Sequence, residues 1–247
     1  PHVQLRQTEL DSLALPARQV EDIYPLTPMQ QGLLFHHELD SAGEAYVNQV
    51  CLEIEGLPLA RFKAAWADAV QRHPQLRSAF LRLGDSQQAV QLVQRDAALA
   101  IREVAGAGQD LEVLRRSERE TPFDLAAAPL MRLLLVRLGE GHYQLIWTLH
   151  HILLDGWSSA ALLAQVLQGT LSDTAVPAAG NYRDYLSWLQ QQDQAASADF
   201  WRERLAQFDE PTLLAQALRC ETPASGSGLE ILAMPRAELE TFAKAQR

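Results

Sequence analysis

From Tyr24 onward, apolar and polar positions fall into short periodic runs, whereas residues 1–20 are mostly polar and read as a lead-in with one weak amphipathic stretch. Pro25 and Pro28 punctuate a turn. Thr27 can cap a helix whose first turn holds Pro28, and Met29, Leu33 and Phe35–His36 follow at helical spacing. Over 46–55, Tyr46, Val50, Leu52 and Ile54 lie on one side and Gln49, Glu53 and Glu55 on the other, which predicts a half-buried strand. Leu59, Phe62, Ala65, Trp66, Ala69 and Val70 form a helical stripe that His73–Pro74 ends. Arg77–Leu83 and Ala89–Val93 predict strands around a Gly84-Asp85-Ser86 turn, Leu99–Val104 a third strand, and Leu111–Glu120 a helix.

The runs LMRLLLVRL (130–138) and HYQLIWTL (142–149), joined by Gly139-Glu140-Gly141, predict a hairpin. Their near-continuous apolarity predicts strands covered on both faces. Beyond a loop at 150–156, Trp157–Gln168 predicts a helix with Ala161, Leu162, Val166 and Leu167 facing inward. A Pro/Gly-containing loop at 171–180 leads to a helical region over 181–207. After a polar Gly/Ser loop at 221–228, Leu229–Met234 reads as a strand and Arg236–Arg247 as a helix. No internal repeat is visible, and the pattern is that of a mixed α/β layered domain.

Composition narrows the function classes. Of the 247 residues, 47% are hydrophobic and 21% charged, an ordinary globular balance. The net charge of −10 argues against nucleic acid and anionic lipid as partners. Cys51 and Cys220 lie far apart without metal-ligand spacing, which suits a reducing cytosol better than a disulfide framework. No run approaches the roughly 18 apolar residues that predict a membrane span. The first ten residues, PHVQLRQTEL, contain no apolar signal-peptide core, so a cytoplasmic protein is expected.

The chemistry-bearing feature is HHILLDG at 150–156, a His-His pair at the end of an apolar strand with Asp155-Gly156 four residues on. Adjacent strand residues point to opposite faces, so one imidazole should face a cleft and the other the interior. A ring titrating near neutrality can accept or donate a proton in acyl transfer. Asp155 is close enough to brace the loop or orient a ring, and Gly156 allows close backbone approach at a turn. Two histidines at a strand end can equally be structural. The same alternation opposes a metal site on His150, His151 and Asp155. A Ser-His-Asp hydrolase is excluded by the lack of any G-x-S-x-G.

At this motif the chain resembles the condensation domains of nonribosomal peptide synthetases, whose signature is HHxxxDG. YPLTPMQQGLLFH (24–36) resembles the first block of that family, RHPQLRSAF (72–80) the second, LHHILLDGWS (149–158) the third and NYRDYLSWLQ (181–190) the fourth. TPFDLAAAPLMR (121–132) is similar to a further segment, and order and spacing agree from Glu21 onward. The first and third blocks look like the variant that joins a D-configured donor to an L-configured acceptor, and the lead-in is similar to the linker that follows an epimerisation domain. Pro74 stands where the family often has an acidic residue, and Ser78 where Thr is common.

The resemblance implies a chloramphenicol-acetyltransferase-like α/β lobe, a mixed β-sheet flanked by helices. It divides the chain into an interdomain lead-in (1–20), the N-terminal lobe (21–228) and the start of a truncated C-terminal lobe (229–247). It further implies peptide-bond formation, in which the amine of a carrier-bound acceptor takes the peptidyl chain from a carrier-bound donor thioester. The substrates arrive on the phosphopantetheine arms of donor and acceptor carrier proteins, and the domain itself binds no cofactor and no metal. Epimerisation and adenylation domains would neighbour it in the parent chain, with no nucleic acid or membrane partner.

His151 is implied as the catalytic group, either a general base or a group that positions the amine and stabilises the tetrahedral intermediate. His150, Asp155, Gly156, Arg72 and Arg77 are implied as site-structuring residues. His150 would turn into the lobe, Asp155 would be braced by Arg72 first or Arg77 second, and Gly156 would leave room in a tunnel between lobes. Trp157, Tyr182, Asp184 and Trp188 are expected to support the lobe, Trp188 by core packing. Tyr24, Thr27, Gln30 and Gln31 are expected to serve folding. Without its second lobe the chain is expected to fold but not to catalyse. The competing readings are an epimerisation domain, a noncatalytic carrier-docking domain and a coenzyme A-dependent acyltransferase of the same superfamily.

Overall fold

The computed structural model describes residues 3–13, 15–39, 46–84, 86–172, 180–210, 213 and 234–245. The chain divides into two units, 1–192 and 193–247.

The first unit holds two sheets. In the smaller one, β1 (Val20–Pro25), β4 (Gln88–Gln94) and β3 (Ser78–Leu83) pair antiparallel in the order β1-β4-β3. The larger has the order β2-β7-β6-β5, from β2 (Val47–Ile54), β7 (His142–His150), β6 (Met131–Gly139) and β5 (Ile101–Ala105). β5 and β6 run parallel in it and the other pairs antiparallel, so the sheet is mixed as expected.

Alternation along β6 and β7 sends side chains to two apolar layers. Leu133, Leu135, Leu145, Trp147 and Leu149 join the main core with Phe62, Trp66 and Val70 of α3 (Leu59–Arg72) and Leu162 and Val166 of α5 (Gly156–Leu171). Leu134, Val136 and Ile146 face the other way, towards Val104 and towards Leu111 and Leu114 of α4 (Leu111–Glu120). This two-sided cover explains the unbroken apolar runs, and each buried side chain of this size stabilises the fold by about 1.5–3 kcal/mol. The indole pair Trp66–Trp147, edge to face at 5.1 Å, ties α3 to β7.

Before the sheets, α1 (Gln7–Asp11) sits within the lead-in, and Glu9 is buried there. Hydrogen bonds from Ser86 and from Arg6 pull the Glu9 carboxyl down to about 2. β1 already starts at Val20, paired with Gln94. α2 (Pro28–Leu39) follows β1, and α6 (Tyr182–Gln190) closes the first unit.

Several local expectations change. Ala161 is exposed, because the buried stripe of α5 runs through Leu162, Val166 and Thr170. The helical region 181–207 is two helices, since Asn181 caps α6 and Asp193 restarts the chain as α7 (Gln194–Arg204). Tyr46 lies outside β2 as a turn residue with φ +63°, a left-handed conformation uncommon for a bulky side chain. Asp85 of the expected turn and 229–233 of the expected strand lie outside the described residues. In the second unit, α8 (Arg236–Ala245) falls within the expected C-terminal helix. Among the described residues, no helix is long and apolar enough to cross a membrane.

Candidate functional site

Strand β7 is the inner strand that carries the histidine pair to its end. Its last residue, His150, pairs with Val47, and the His150 N–H donates to the Leu130 carbonyl at 3.0 Å. The His150 ring is wholly buried, edge-on to His37 at 5.1 Å and to Phe123 at 6.4 Å. Its Nδ1 accepts the Ile152 N–H at 3.1 Å, so the neutral ring carries its proton on Nε2, which has no partner among the described residues. Burial first, and then His37 and His151, push His150 down to about 4. It is therefore a neutral interior group that shapes the turn, while its neighbour lines a cleft.

His151 is half-buried and held at two points. Its N–H donates to the Tyr46 carbonyl at 2.8 Å, and its Nδ1 lies 2.9 Å from the Asn48 amide nitrogen. It lines a cleft of about 520 Å³ together with Tyr46 and with Pro28, Met29, Gly32, Leu33 and His36 of α2. That volume lies within the range of small-molecule sites, and the lining is mainly apolar with two imidazoles.

A buried polar network holds α2 at this wall. Thr27 Oγ1 accepts the Gln30 N–H at 3.2 Å, and Gln30 Oε1 accepts the Thr27 N–H at 3.0 Å, a reciprocal cap at the helix start. Gln30 Nε2 donates to Gln91 Oε1 at 3.3 Å, Gln91 Nε2 donates to Ser78 Oγ at 2.8 Å, and the Tyr182 hydroxyl donates to Gln30 Oε1 at 3.4 Å. Tyr182 also lies edge-on to Tyr24 at 5.8 Å, and burial raises its hydroxyl to about 12. The first, second and fourth sequence blocks thus meet in one network.

Asp155 departs from expectation, for it pairs with neither Arg72 nor Arg77. Its Oδ1 accepts the Ser158 N–H at 2.7 Å, and its carbonyl accepts the N–H and hydroxyl of Ser159, so it is the N-cap of α5. Hydrogen bonds from Ser158 hold its carboxyl below the usual carboxylate range. Arg72 instead reaches one helical turn back to Asp68, the nearest carboxylate on its own helix. Arg77 is buried. It pairs with Glu21 and donates to the carbonyls of Val70 at 3.0 Å, Gln71 at 3.2 Å and Arg95 at 3.0 Å, pinning the end of α3 to the start of β1 and the end of β4.

Gly156 opens α5, and a Cβ added there would meet nothing within 4 Å. Trp157 is 89% exposed, Asp184 is exposed on the first turn of α6, and Trp188, 55% exposed, stacks on Tyr185 rather than entering the core. Asn48, His36 and Tyr46 were not expected as site residues from the sequence. A partial signal existed, because Met29, Gly32, Leu33 and His36 recur at i, i+3, i+4 and i+7 on one face of α2. Among the described residues no group of His, Cys, Asp or Glu is placed to hold a metal.

Residues 20–231 match the protein family described as Condensation domain. The chain is 38% identical over 224 residues to a linear gramicidin synthase protein of Brevibacillus parabrevis, an alignment covering 85% of this chain and 3% of that protein. Against bacitracin synthase 3 of Bacillus licheniformis the identity is 33% over 220 residues, covering 84% and 4%. Among solved structures, the starter condensation domain of rhizomide synthetase RzmA superposes with a TM-score of 0.66 at 20% identity, covering 77% of this chain and 50% of that one. The first condensation domain of the calcium-dependent antibiotic synthetase, in complex with a substrate analogue, gives 0.66 at 23%, covering 77% and 49%. The chain therefore spans about half the length of those solved domains and a few per cent of the curated synthetases.

Proposed function

The chain belongs to the condensation-domain family, and from that premise we propose that it forms a peptide bond between two carrier-bound substrates, with His151 as the group that meets the reacting atoms. The observation that carries this reading is the placement of His151 in the cleft walled by α2, while His150 is sealed in the lobe. The acceptor amine attacks the donor thioester carbonyl and a C–N bond forms. The C–S bond then breaks, and the proton lost by the amine ends on the departing thiol. A thioester is already activated, so holding amine and carbonyl together supplies much of the rate, and His151 supplies a hydrogen bond or proton transfer at the tetrahedral intermediate.

Donor and acceptor would be delivered on the phosphopantetheine arms of carrier proteins, with epimerisation and adenylation domains as neighbours and the cytoplasm as the site of action. The first block, LTPMQQGLLFH, and the lead-in support a D-configured donor. Because solved relatives are about twice as long, the 247 residues alone are expected to fold without turning over. In the parent synthetase, His151→Ala should lower transfer between loaded carriers by about 10²–10⁴-fold. Unchanged transfer would leave a docking role, and inversion of a loaded L-peptidyl thioester would mark an epimerase instead.

A further inference from the structure

The side chain in hydrogen-bond contact with the His151 ring stands on the neighbouring strand. Asn48 lies on β2 opposite Leu149, two residues from the Tyr46 turn. Its amide nitrogen faces His151 Nδ1 at 2.9 Å. An amide nitrogen can only donate, so Nδ1 must offer its lone pair and the neutral ring must carry its proton on Nε2. We propose that Asn48 is a positioning residue that holds His151 as the Nε2–H tautomer, so that the ring meets the acyl oxygen as a hydrogen-bond donor. The second half of this statement rests on the condensation reading; the tautomer does not.

Three observations support the assignment. The Tyr46 carbonyl anchors the His151 main chain while Asn48 anchors its ring, so the imidazole is fixed from two directions on one sheet edge. Among the described residues, Nε2 makes no hydrogen bond, which leaves it for the cleft that His151 lines. The nearest acidic residue in sequence, Asp155, is taken up with capping α5 and makes no hydrogen bond to the ring. In a Ser-His-Asp arrangement a carboxylate accepts a hydrogen bond from Nδ1–H and leaves Nε2 as a base. Here the orienting group has the opposite polarity. A donor held against the developing oxyanion lowers the barrier without taking a proton from the amine.

The test reads the tautomer directly. Histidine is labelled with ¹⁵N in the 247-residue protein, His151 is assigned by its loss in His151→Ala, and the ring nitrogens are observed where the ring is neutral. The expected result is a proton on Nε2. In Asn48→Asp, a near-isosteric change whose carboxylate can only accept, the proton should move to Nδ1; in Asn48→Ala both tautomers should appear. In the parent synthetase, Asn48→Asp should lower the transfer rate by about 10²-fold, the loss typical of one oxyanion donor. A proton on Nδ1 in the unsubstituted protein overturns the proposal, and so does Asn48→Asp carrying Nδ1–H at the parent rate or faster. A parent synthetase that transfers nothing sinks the condensation reading while the ring spectra still decide the tautomer.

Discussion

Substituting His150 tests whether the first motif histidine is a structural group that is neutral near physiological pH. Its ring is wholly buried and its pKa lies at about 4, against an ordinary 6.5. Below pH 6.5 the unfolded chain binds a proton that the folded chain refuses. The contribution of this ring to stability is therefore constant above that pH and falls as pH drops towards 4, where the folded ring also protonates. At about 1.36 kcal/mol per unit, the full window is worth about 3 kcal/mol, of which about 2.5 kcal/mol is gone at about pH 4.5. His150→Asn places an acceptor oxygen near the position of Nδ1 for the Ile152 N–H but cannot titrate. Urea unfolding of both proteins at about pH 7.5 and about pH 4.5 separates the effect, because the other histidines and carboxylates contribute to both. The parent should lose about 2.5 kcal/mol more than the variant between the two pH values. Equal losses would mean that the buried ring accepts a proton without penalty, and the account of its environment would be wrong.

Asp155→Ala should cost about 1 kcal/mol in thermal unfolding through loss of the α5 cap, while Asp155→Asn, which still caps, should cost far less. Equal losses in the two variants would instead reveal an ion pair that depends on the negative charge. Gln91→Leu removes the partner of Gln30 Nε2 and the donor to Ser78 Oγ, and should cost about 1–3 kcal/mol in urea unfolding.

Features set by local periodicity were legible in the sequence. The β6–β7 hairpin and its two-sided cover follow from the apolar runs and the Gly-rich turn between them, and the different fates of His150, buried, and His151, at a cleft, agree with strand alternation. The cleft was only half legible, because Asn48 and Tyr46 reach His151 through the pairing of β2 with β7, which joins residues about a hundred positions apart that no local pattern links. The expected Asp155–Arg72 brace failed for a local reason, since an Asp just ahead of a helix finds a free backbone N–H three residues on before it finds a distant guanidinium. Trp188 lies on the aromatic face of α6, whose buried side is Leu186.

The two walls of the cleft take their polar anchors from different sheets. His151, Tyr46 and Asn48 hang from the four-stranded sheet, whereas the α2 face with Met29, Gly32 and His36 is bolted through Gln30 and Gln91 to the three-stranded one. Met29 and Gly32 on the α2 face take no part in the hydrogen bonds that orient the imidazole, so they can be exchanged without altering those bonds. On the condensation reading proposed for this chain, such a division would let one wall diversify to admit different acyl chains while the other keeps the same chemistry.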